Sequence, residues 1–294
     1  MIPVGLTLQP EEAFLDLLGD VIRRDADYYE VAPETLWRLD GGGGLGENGF
    51  FRRFVALRAE TDKPFVAHGV GFSVGTAARA DAARRRRWIE RLRQDQAALG
   101  FLWYTDHLGA SSLAGQAVTL PMALPMTAHA AAVVRRSLRA MAEVVPDVGV
   151  ENTVAYFLLG DPLEEPAFLR RVLRAPRTHL LLDVHNLYTM AQNFGFDPGA
   201  YVDRLDLDRV IEIHLSGGSE SDPAWLPSGR VMRLDAHDSA IPEPVWQIFE
   251  AVAPRCPNLR GVTVERMEGT VGPEDVRVIR EELRRARRTL RRRS

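Results

Sequence analysis

The chain has 294 residues and a net charge of −3, with 46% hydrophobic and 26% charged residues. This balance is typical of a globular protein, and the small negative charge argues against a surface that binds nucleic acid. The single cysteine, Cys256, excludes an internal disulfide, and no apolar run is long enough for a membrane span or a signal peptide, so we expect a cytoplasmic protein.

Short apolar runs alternate with amphipathic segments along the whole chain, and eight of the runs predict strands. They are "PVGLTL" from Pro3, "DYYEVAP" from Asp27, "PFVAHGV" from Pro64, "FLWYTDHL" from Phe101, "DVGVENT" from Asp147, "THLLLDVHN" from Thr178, "RVIEIHLSG" from Arg209 and "GVTVERM" from Gly261. The segments between them predict helices, such as "EEAFLDLLGDVIRR", "DAARRRRWIERLRQDQAAL" and "MTAHAAAVVRRSLRAMAEVV". A further helix, "GPEDVRVIREELRRARRTL", follows the last strand.

Eight strand–helix units over this length predict an α/β fold, a (β/α)8 TIM barrel that forms a single domain over residues 1–294. A doubly wound open sheet is the structural alternative, and the lack of a glycine-rich dinucleotide turn disfavours it. The glycine run Gly41–Gly44 lies in the loop after the second strand, without a phosphate-binding pattern around it.

Acidic and imidazole side chains stand at the carboxyl ends of the predicted strands. Residues two apart on a strand point to the same face, so we expect Asp183 to aim with His185 and Glu212 with His214. The carboxyl ends of barrel strands converge on one mouth, so these residues are predicted to meet there. They include five of the seven histidines. The set is Glu30, Glu34, His68, Asp106, His107, Glu151, Asn152, Asp183, His185, Asn186, Glu212, His214, Asp235, His237, Asp238 and Glu265.

Imidazole and carboxylate ligands without thiolate are typical of zinc, iron, manganese or cobalt sites. About three protein ligands serve one catalytic metal, so this set suffices for two or three ions, with Glu151 central enough to bridge a pair. An ion pair or a satisfied core histidine explains any one of these residues alone, and only their shared placement favours a metal site. His129, within a helix, and His179, at the opposite end of the sixth strand, are interpreted as structural.

Several strings resemble the multinuclear non-haem iron-dependent oxidative enzymes, a family first catalogued as a domain of unknown function. Its members include the iron-containing subunit of methanobactin biosynthesis. The resemblance extends over nearly the whole chain and rests on eight strings in order. They are "HGVGFS" at His68, "DHLG" at Asp106, "VENT" at Val150, "LLDVHN" at Leu181, "FGFDPGAY" at Phe194, "EIHLSGG" at Glu212, "LDAHDSAIPEPVW" at Leu234 and "VERM" at Val264.

The resemblance implies a barrel that binds two or three iron ions and uses dioxygen to modify residues, often cysteines, of a ribosomally made peptide. In this family a separate partner protein commonly presents the precursor peptide. By the same resemblance, one ion is held by Glu151, Asp183, His214 and Glu265. A second is held by His68 and His107 and is bridged by Glu151. A third position is bordered by Asp235 and His237, with Asn186 or His185.

Five further acids are expected to support the ligands from behind. Glu30, Glu34 and Asp238 are interpreted as supporting groups, and Asp106 and Glu212 as hydrogen-bond partners that fix the imidazole tautomers. The chain departs from the usual strings of the family near the third position and the mouth, at Asp106, His185, Gln192, Phe194 and Ser239.

Two other classes of function use the same kind of barrel mouth. The first is a divalent-metal sugar isomerase or a trinuclear zinc phosphodiesterase, although the sequence shows no basic groove of the kind that DNA cleavage requires. The second is a metal-bound scaffold that recognises a leader peptide without turnover.

Overall fold

A closed barrel of eight parallel strands forms the centre of the molecule, which a computed structural model describes over residues 1–39, 44–113 and 116–291. Each strand pairs with its neighbours in chain order, and the first closes on the eighth. The TIM barrel and all eight predicted strands are confirmed, whereas residues 41–43 of the glycine run lie outside the described residues. The strands are β1 (Val4–Thr7), β2 (Tyr29–Val31), β3 (Phe65–Gly69), β4 (Tyr104–His107), β5 (Val148–Glu151), β6 (Thr178–Asp183), β7 (Val210–Leu215) and β8 (Gly261–Val264).

Helices lie between the strands, as the amphipathic segments predict. The helix expected from Glu11 to Arg24 is divided at Leu18, just before Gly19, because glycine is a poor helix former. None of the described helices has the length and apolar character needed to cross a bilayer. The helices are α1 (Glu12–Leu17), α2 (Gly19–Arg24), α3 (Gly49–Thr61), α4 (Ala82–Leu99), α5 (Ala128–Ala142), α6 (Glu165–Val172), α7 (Val184–Phe194), α8 (Pro198–Val202), α9 (Glu243–Val252) and α10 (Asp275–Arg291).

Two small antiparallel hairpins, which the sequence analysis missed, extend from the carboxyl end of the barrel. Trp37–Leu39 pairs with Leu45–Glu47 after β2, and Ala110–Leu113 pairs with Gln116–Met122 after β4. The strands of the first hairpin have three residues each and are half-exposed or exposed, so no clear hydrophobic alternation marks this hairpin in the sequence.

The main hydrophobic core lies between the barrel and its surrounding helices. In α10, Ile279, Leu283, Ala286 and Leu290 recur at helical spacing and are buried. The barrel also holds a buried carboxylate below the mouth, on Glu212 of β7. It accepts hydrogen bonds of 2.6–2.9 Å from three side chains, those of Tyr28, Trp103 and Thr263.

An ion cluster joins three strands at the amino end of the barrel. The carboxylate of Asp147, just before β5, accepts hydrogen bonds from Arg177, His179 and Arg260 at 2.9–3.1 Å. His179 thus lies away from the mouth, as expected. Burial alone raises the pKa of Asp147, but these hydrogen bonds outweigh burial and lower the pKa well below its usual range.

Replacing Asp147 by alanine is expected to lower the free energy of unfolding by about 1–3 kcal/mol at pH 7, because the hydrogen bonds that Arg177, His179 and Arg260 donate to this buried carboxylate are lost. The lowered pKa gives a stabilisation that is complete above the unfolded-state pKa of about 3.9 and is lost as the pH falls further. Urea titrations at several pH values should therefore show the two proteins converging in strong acid. The control is Asp203→Ala, which removes an exposed ion pair with Arg255 and should change stability by less than about 1 kcal/mol. Equal stability of all three proteins at pH 7 would contradict this role.

Candidate metal centre

Strand pairing sets candidate ligands side by side at the carboxyl end of the barrel. His107 at the end of β4 lies opposite Glu151 at the end of β5. Asp183 at the end of β6 lies opposite His214 on β7. Residues opposite one another in a sheet point to the same face, so each pair is presented together.

A register shift makes the second of these pairs possible. The pairing of β6 with β7 slips by one residue between Leu180 and Leu181, so that Asp183 lies opposite His214 instead of Ile213. A slip of one residue reverses the face that a strand presents. The irregularity therefore decides which β7 side chain accompanies Asp183.

Two imidazoles converge on the carboxylate of Glu151. The Nε2 atoms of His68 and His107 lie 3.5 Å and 3.2 Å from Oε2 of Glu151. On the far side of each ring, Nδ1 of His68 is 2.9 Å from Oγ1 of Thr105, and Nδ1 of His107 is 3.0 Å from the carbonyl oxygen of Gly69. A carbonyl only accepts hydrogen bonds, so His107 donates from Nδ1 and, when neutral, turns the Nε2 lone pair toward Glu151.

His214 is held in the same manner with its nitrogens exchanged. Its Nε2 lies 2.9 Å from Oε2 of Glu30, and Glu30 also accepts a hydrogen bond of 2.7 Å from Thr7. Its Nδ1 lies 3.0 Å from Oε2 of Glu265, which is ion-pair distance, but neither atom has a partner in hydrogen-bond geometry among the described residues. The Glu30 carboxylate accepts the hydrogen on Nε2 of His214. In neutral His214 the lone pair is therefore on Nδ1, and it points toward the Glu265 carboxylate.

A third group consists of His185, Asp235 and His237. Oδ1 of Asp235 lies 2.7 Å from Nε2 of His237 and 3.7 Å from Nδ1 of His185. The expected strand alternation of Asp183 and His185 is wrong, because β6 ends at Asp183, which caps α7 by accepting a 2.7 Å hydrogen bond from the backbone of Asn186. His185 lies instead in the first turn of the helix.

Two glycines after β7 let the loop that carries Asp235 and His237 approach the barrel. A Cβ on Gly218 would lie 2.1 Å from the carbonyl oxygen of Leu234, and one on Gly217 would lie 2.2 Å from that of Ala240. His237 has a left-handed backbone with φ of 52°, a conformation that costs about 1–3 kcal/mol outside glycine and is often found at functional sites.

Asn193 and Tyr156, to which the sequence analysis gave no role in placing this loop, help to hold it. The side-chain amide of Asn193 donates a 2.9 Å hydrogen bond to the carbonyl oxygen of Arg233. It also accepts a 2.8 Å hydrogen bond from the backbone nitrogen of Arg233. The hydroxyl of Tyr156 accepts a 3.1 Å hydrogen bond from the backbone of Asp235. Both interactions join residues far apart in the chain, so no local pattern marks them.

The predicted roles of Asp106 and Glu212 as tautomer-fixing partners are wrong. Asp106 accepts a hydrogen bond from Tyr104 at 3.1 Å, and Glu212 is occupied by the three donors below the mouth. Asp106 neighbours His107 on one strand, so the two side chains point to opposite faces. The groups that contact the imidazoles are Thr105 and Glu30 instead, together with a backbone carbonyl.

Glu34 and Asp238 do not contact the ligands through any hydrogen bond among the described residues. Oε1 of Glu34 accepts from the backbone amides of Val70 and Gly71 at 2.6 Å and 2.7 Å, so it fixes the loop after β3. Oδ1 of Asp238 is buried without a hydrogen-bond partner in the described chain.

Six buried side-chain atoms of the candidate ligands have no hydrogen-bond partner within the described residues. They are Glu151 Oε2, Asp183 Oδ2, His185 Nδ1, Asn186 Oδ1, His214 Nδ1 and Glu265 Oε2. Unpaired polar atoms are expensive inside a protein, and a cluster of oxygen and imidazole nitrogen atoms is the donor set of a metal site. Four overlapping sets of three residues hold their ligand atoms within 4.8 Å of one another: His68–Glu151–His214, His185–Asp235–His237, Glu30–His214–Glu265 and Asp183–His237–Glu265.

The electrostatics of the site also favour a bound cation. Burial alone lowers the pKa of His68 and His237, but neighbouring carboxylates, chiefly Glu151 and Asp235 respectively, outweigh burial and raise these pKa values to about 9 and about 10. Burial and nearby carboxylates raise the pKa of Asp183 well above its usual range. Within the described chain, no lysine or arginine forms an ion pair with the carboxylates of this site. A divalent cation would compensate the negative charge of these carboxylates, as protons on the imidazoles do.

A cavity of about 400 Å³ opens above these residues. His68, His107, Glu151, Asp235, His237 and Glu265 are part of its lining, and apolar side chains such as Met122 and Phe157 form its wall. No lysine or arginine is found among the described residues that line it.

Comparison with known proteins identifies the family. Residues 4–291 match the model of the RiPP precursor modification enzymes MbnB/TglH/ChrH, where RiPP denotes a ribosomally made and modified peptide. The chain belongs to this family. The resemblance based on the sequence strings is therefore confirmed.

Similar proteins span most of the chain. A UPF0276 protein of Pseudomonas aeruginosa (strain UCBPP-PA14) is 33% identical over 263 residues, which cover 89% of this chain and 85% of that protein. A UPF0276 protein of Caulobacter vibrioides (strain NA1000 / CB15N) is 31% identical over 256 residues, covering 85% and 82%.

Two solved structures show a similar fold at low sequence identity. A xylose isomerase-like TIM barrel protein from Mycobacterium smegmatis in complex with magnesium gives a TM-score of 0.61 at 14% identity, with 99% of this chain and 98% of that chain covered. Endonuclease IV from Thermus thermophilus gives 0.56 at 18% identity, with 99% of each chain covered. At these identities the likeness concerns the fold alone.

Removing one imidazole should weaken metal binding, because each convergent nitrogen replaces a water ligand of the ion. We expect His68→Ala and His214→Ala to lower metal affinity about tenfold or more. His129→Ala, which changes an exposed position on α5, should retain the metal content of the wild type. Elemental analysis after dialysis against graded chelator measures the effect, and equal metal retention in all three variants would show that the convergence does not serve a metal.

Gly218→Ala should displace the Leu234–Ala240 segment and lower the free energy of unfolding by about 1–3 kcal/mol, because a Cβ would contact rigid backbone. The matched control is Gly49→Ala, where a Cβ would meet nothing within 4 Å. Thermal unfolding of both variants measures the difference. An unchanged melting temperature for Gly218→Ala would mean that the loop adjusts freely.

Proposed function

We propose that this protein is an iron-dependent oxidative enzyme that uses dioxygen to modify a side chain of a ribosomally made precursor peptide, a cysteine or a nearby residue. The observation that carries the proposal is the convergence of six unpaired, buried oxygen and nitrogen atoms at the barrel mouth. Membership of a RiPP precursor modification family supports a peptide as the substrate.

The donor set fits iron, which binds imidazole and carboxylate ligands and can keep open positions for other molecules. Glu151, Asp183, His214 and Glu265 would hold one ion, and His68 and His107 a second, with Glu151 between them. This division agrees with the position of Oε2 of Glu151, which lies within reach of His68, His107 and His214. Asp235 and His237, together with His185 or Asn186, would border a third.

The chemistry that iron supplies when bound is the activation of dioxygen and Lewis acidity toward a substrate thiol. The chain itself fixes the geometry. Thr105, the Gly69 carbonyl and Glu30 hold the far nitrogens of three imidazoles, so that the remaining lone pairs are oriented before any ligand arrives. The apolar wall of the mouth cavity limits access of water to the side chain that is modified.

The lining of the cavity distinguishes this proposal from phosphodiester cleavage. A phosphodiesterase that cleaves DNA needs positive charge along the groove that holds the phosphate backbone, and no lysine or arginine is among the described residues that line this cavity. A neutral peptide side chain fits such a cavity better than a phosphate group. The separate presenting protein and the cytoplasmic location stay predictions.

Co-expression with the short open reading frames beside the gene tests the reaction. The expected result is a mass change in one peptide that requires iron and dioxygen, is lost in Glu151→Gln and persists in His129→Ala. Mass spectrometry of the purified peptide provides the measurement. Equal modification without dioxygen, or with zinc in place of iron, would favour the isomerase or hydrolase class, and peptide binding without any mass change would favour a scaffold.

A further inference from the structure

An apolar cleft, which we call the side cleft, opens beside the mouth cavity. Its wall is formed by the loop between β5 and α6 and by the segment after the second hairpin, and its lining is almost entirely apolar. The side cleft and the mouth cavity share Ala123, Thr153, Ala155 and Phe157, so the two form continuous surface. The other residues of the side cleft are Leu108, Leu124, Met126, Leu158, Leu159, Pro162, Glu165, Phe168 and Met190.

Three consecutive large apolar residues on this wall are exposed to solvent. Phe157, Leu158 and Leu159 are 44%, 37% and 47% exposed. A contiguous exposed apolar group beside a reaction site is typical of a binding surface, because burying it on association is favourable.

The polar groups of the side cleft are already occupied within the protein. The Thr153 hydroxyl donates to the carbonyl oxygen of Leu108 at 3.3 Å, and the Glu165 carboxylate accepts a 2.8 Å hydrogen bond from Tyr201. Burial raises the pKa of Glu165 to about 7, so the carboxyl group is only partly ionised at neutral pH. No lysine or arginine lies in the described lining, so nothing here attracts a charged group strongly.

We propose that the side cleft binds an aliphatic side chain of the precursor peptide, close in sequence to the residue that is modified. This inference rests on the proposed function for the identity of the substrate. The continuity of the two surfaces argues for the peptide as the occupant, since a chain with one side chain in the mouth must pass along the shared wall. The cleft volume of about 50 Å³ is room for about four water molecules, or one side chain of the size of leucine.

A selection from random peptides tests this assignment. A phage-displayed library with one fixed central cysteine is selected on the immobilised, anaerobically purified protein, and the enriched peptides are then synthesised with a fluorophore. Because each residue of an extended chain spans about 3.3–3.6 Å, we expect enrichment of Leu, Ile, Val or Met within about three positions of the cysteine.

Two variants compare the side cleft with an equivalent surface elsewhere. Leu158→Asp should weaken binding of the enriched peptides at least tenfold by fluorescence polarisation. Leu102→Asp, at a position that is 50% exposed on the amino end of the barrel, should leave binding unchanged. The same preparations are analysed by light scattering, which detects self-association, and by elemental analysis, which detects loss of the metal site. Both effects can thus be separated from a change in peptide binding.

Three results would overturn the assignment. They are a selection without apolar enrichment, peptide binding that Leu158→Asp does not affect, and a wild-type dimer that Leu158→Asp converts to a monomer, which would identify a self-interface. Failure of the proposed function is distinguishable from these results. A wild type that holds no iron but still selects apolar peptides through Leu158 would contradict the oxidative reaction and retain the side cleft as a peptide site.

Discussion

Among the described residues, the burial of several carboxylates without a lysine or arginine partner is the constraint on which the mouth of this barrel depends. Glu30, Glu151, Asp183 and Glu265 are each at most 5% exposed, and within the described chain none of them pairs with lysine or arginine. Removing one such ion from water costs several kcal/mol unless a cation compensates for it. The imidazoles at the mouth are candidate ligands as well as bases, so protons and metal ions would compete for the same atoms. A metal bound there would stabilise the folded chain, since an ion that binds only the native state stabilises it.

The remainder of the barrel supplies the rigidity that this arrangement needs. Asp147 joins strands at the amino end, and Glu212 collects three donors below the mouth, so both of these buried carboxylates are satisfied. Above them, Glu30 and Thr105 hold imidazoles from outside the cluster. Ligands that are oriented in advance lose little entropy when an ion binds. Buried atoms without a hydrogen-bond partner also occur elsewhere, on Trp88, Arg91 and Gln96. Those of Glu151, Asp183, His214 and Glu265 differ because these residues belong to sets whose ligand atoms lie within 4.8 Å of one another, where a metal would remove the cost.

Much of this architecture is predictable because buried parallel strands are continuous apolar runs, and polar residues at their carboxyl ends meet in a barrel. The eight strands and the position of the candidate ligands follow from that rule. The strand alternation fails for His185 because Asp183 caps a helix where the sequence pattern predicts a continuing strand. The register shift at Leu180, and the choice of Thr105 over Asp106 as an imidazole partner, depend on contacts between strands, which a single sequence does not reveal.

Iron is the metal that we propose for the convergent atoms of the mouth. The most direct test of this proposal is elemental analysis combined with Mössbauer spectroscopy, on protein produced with iron-57 and purified without oxygen or chelator. We expect at least two iron ions per chain in nitrogen and oxygen coordination, with magnetic coupling between neighbouring ions. Zinc or manganese after iron-replete growth, or a chain with no bound metal, would contradict the proposal.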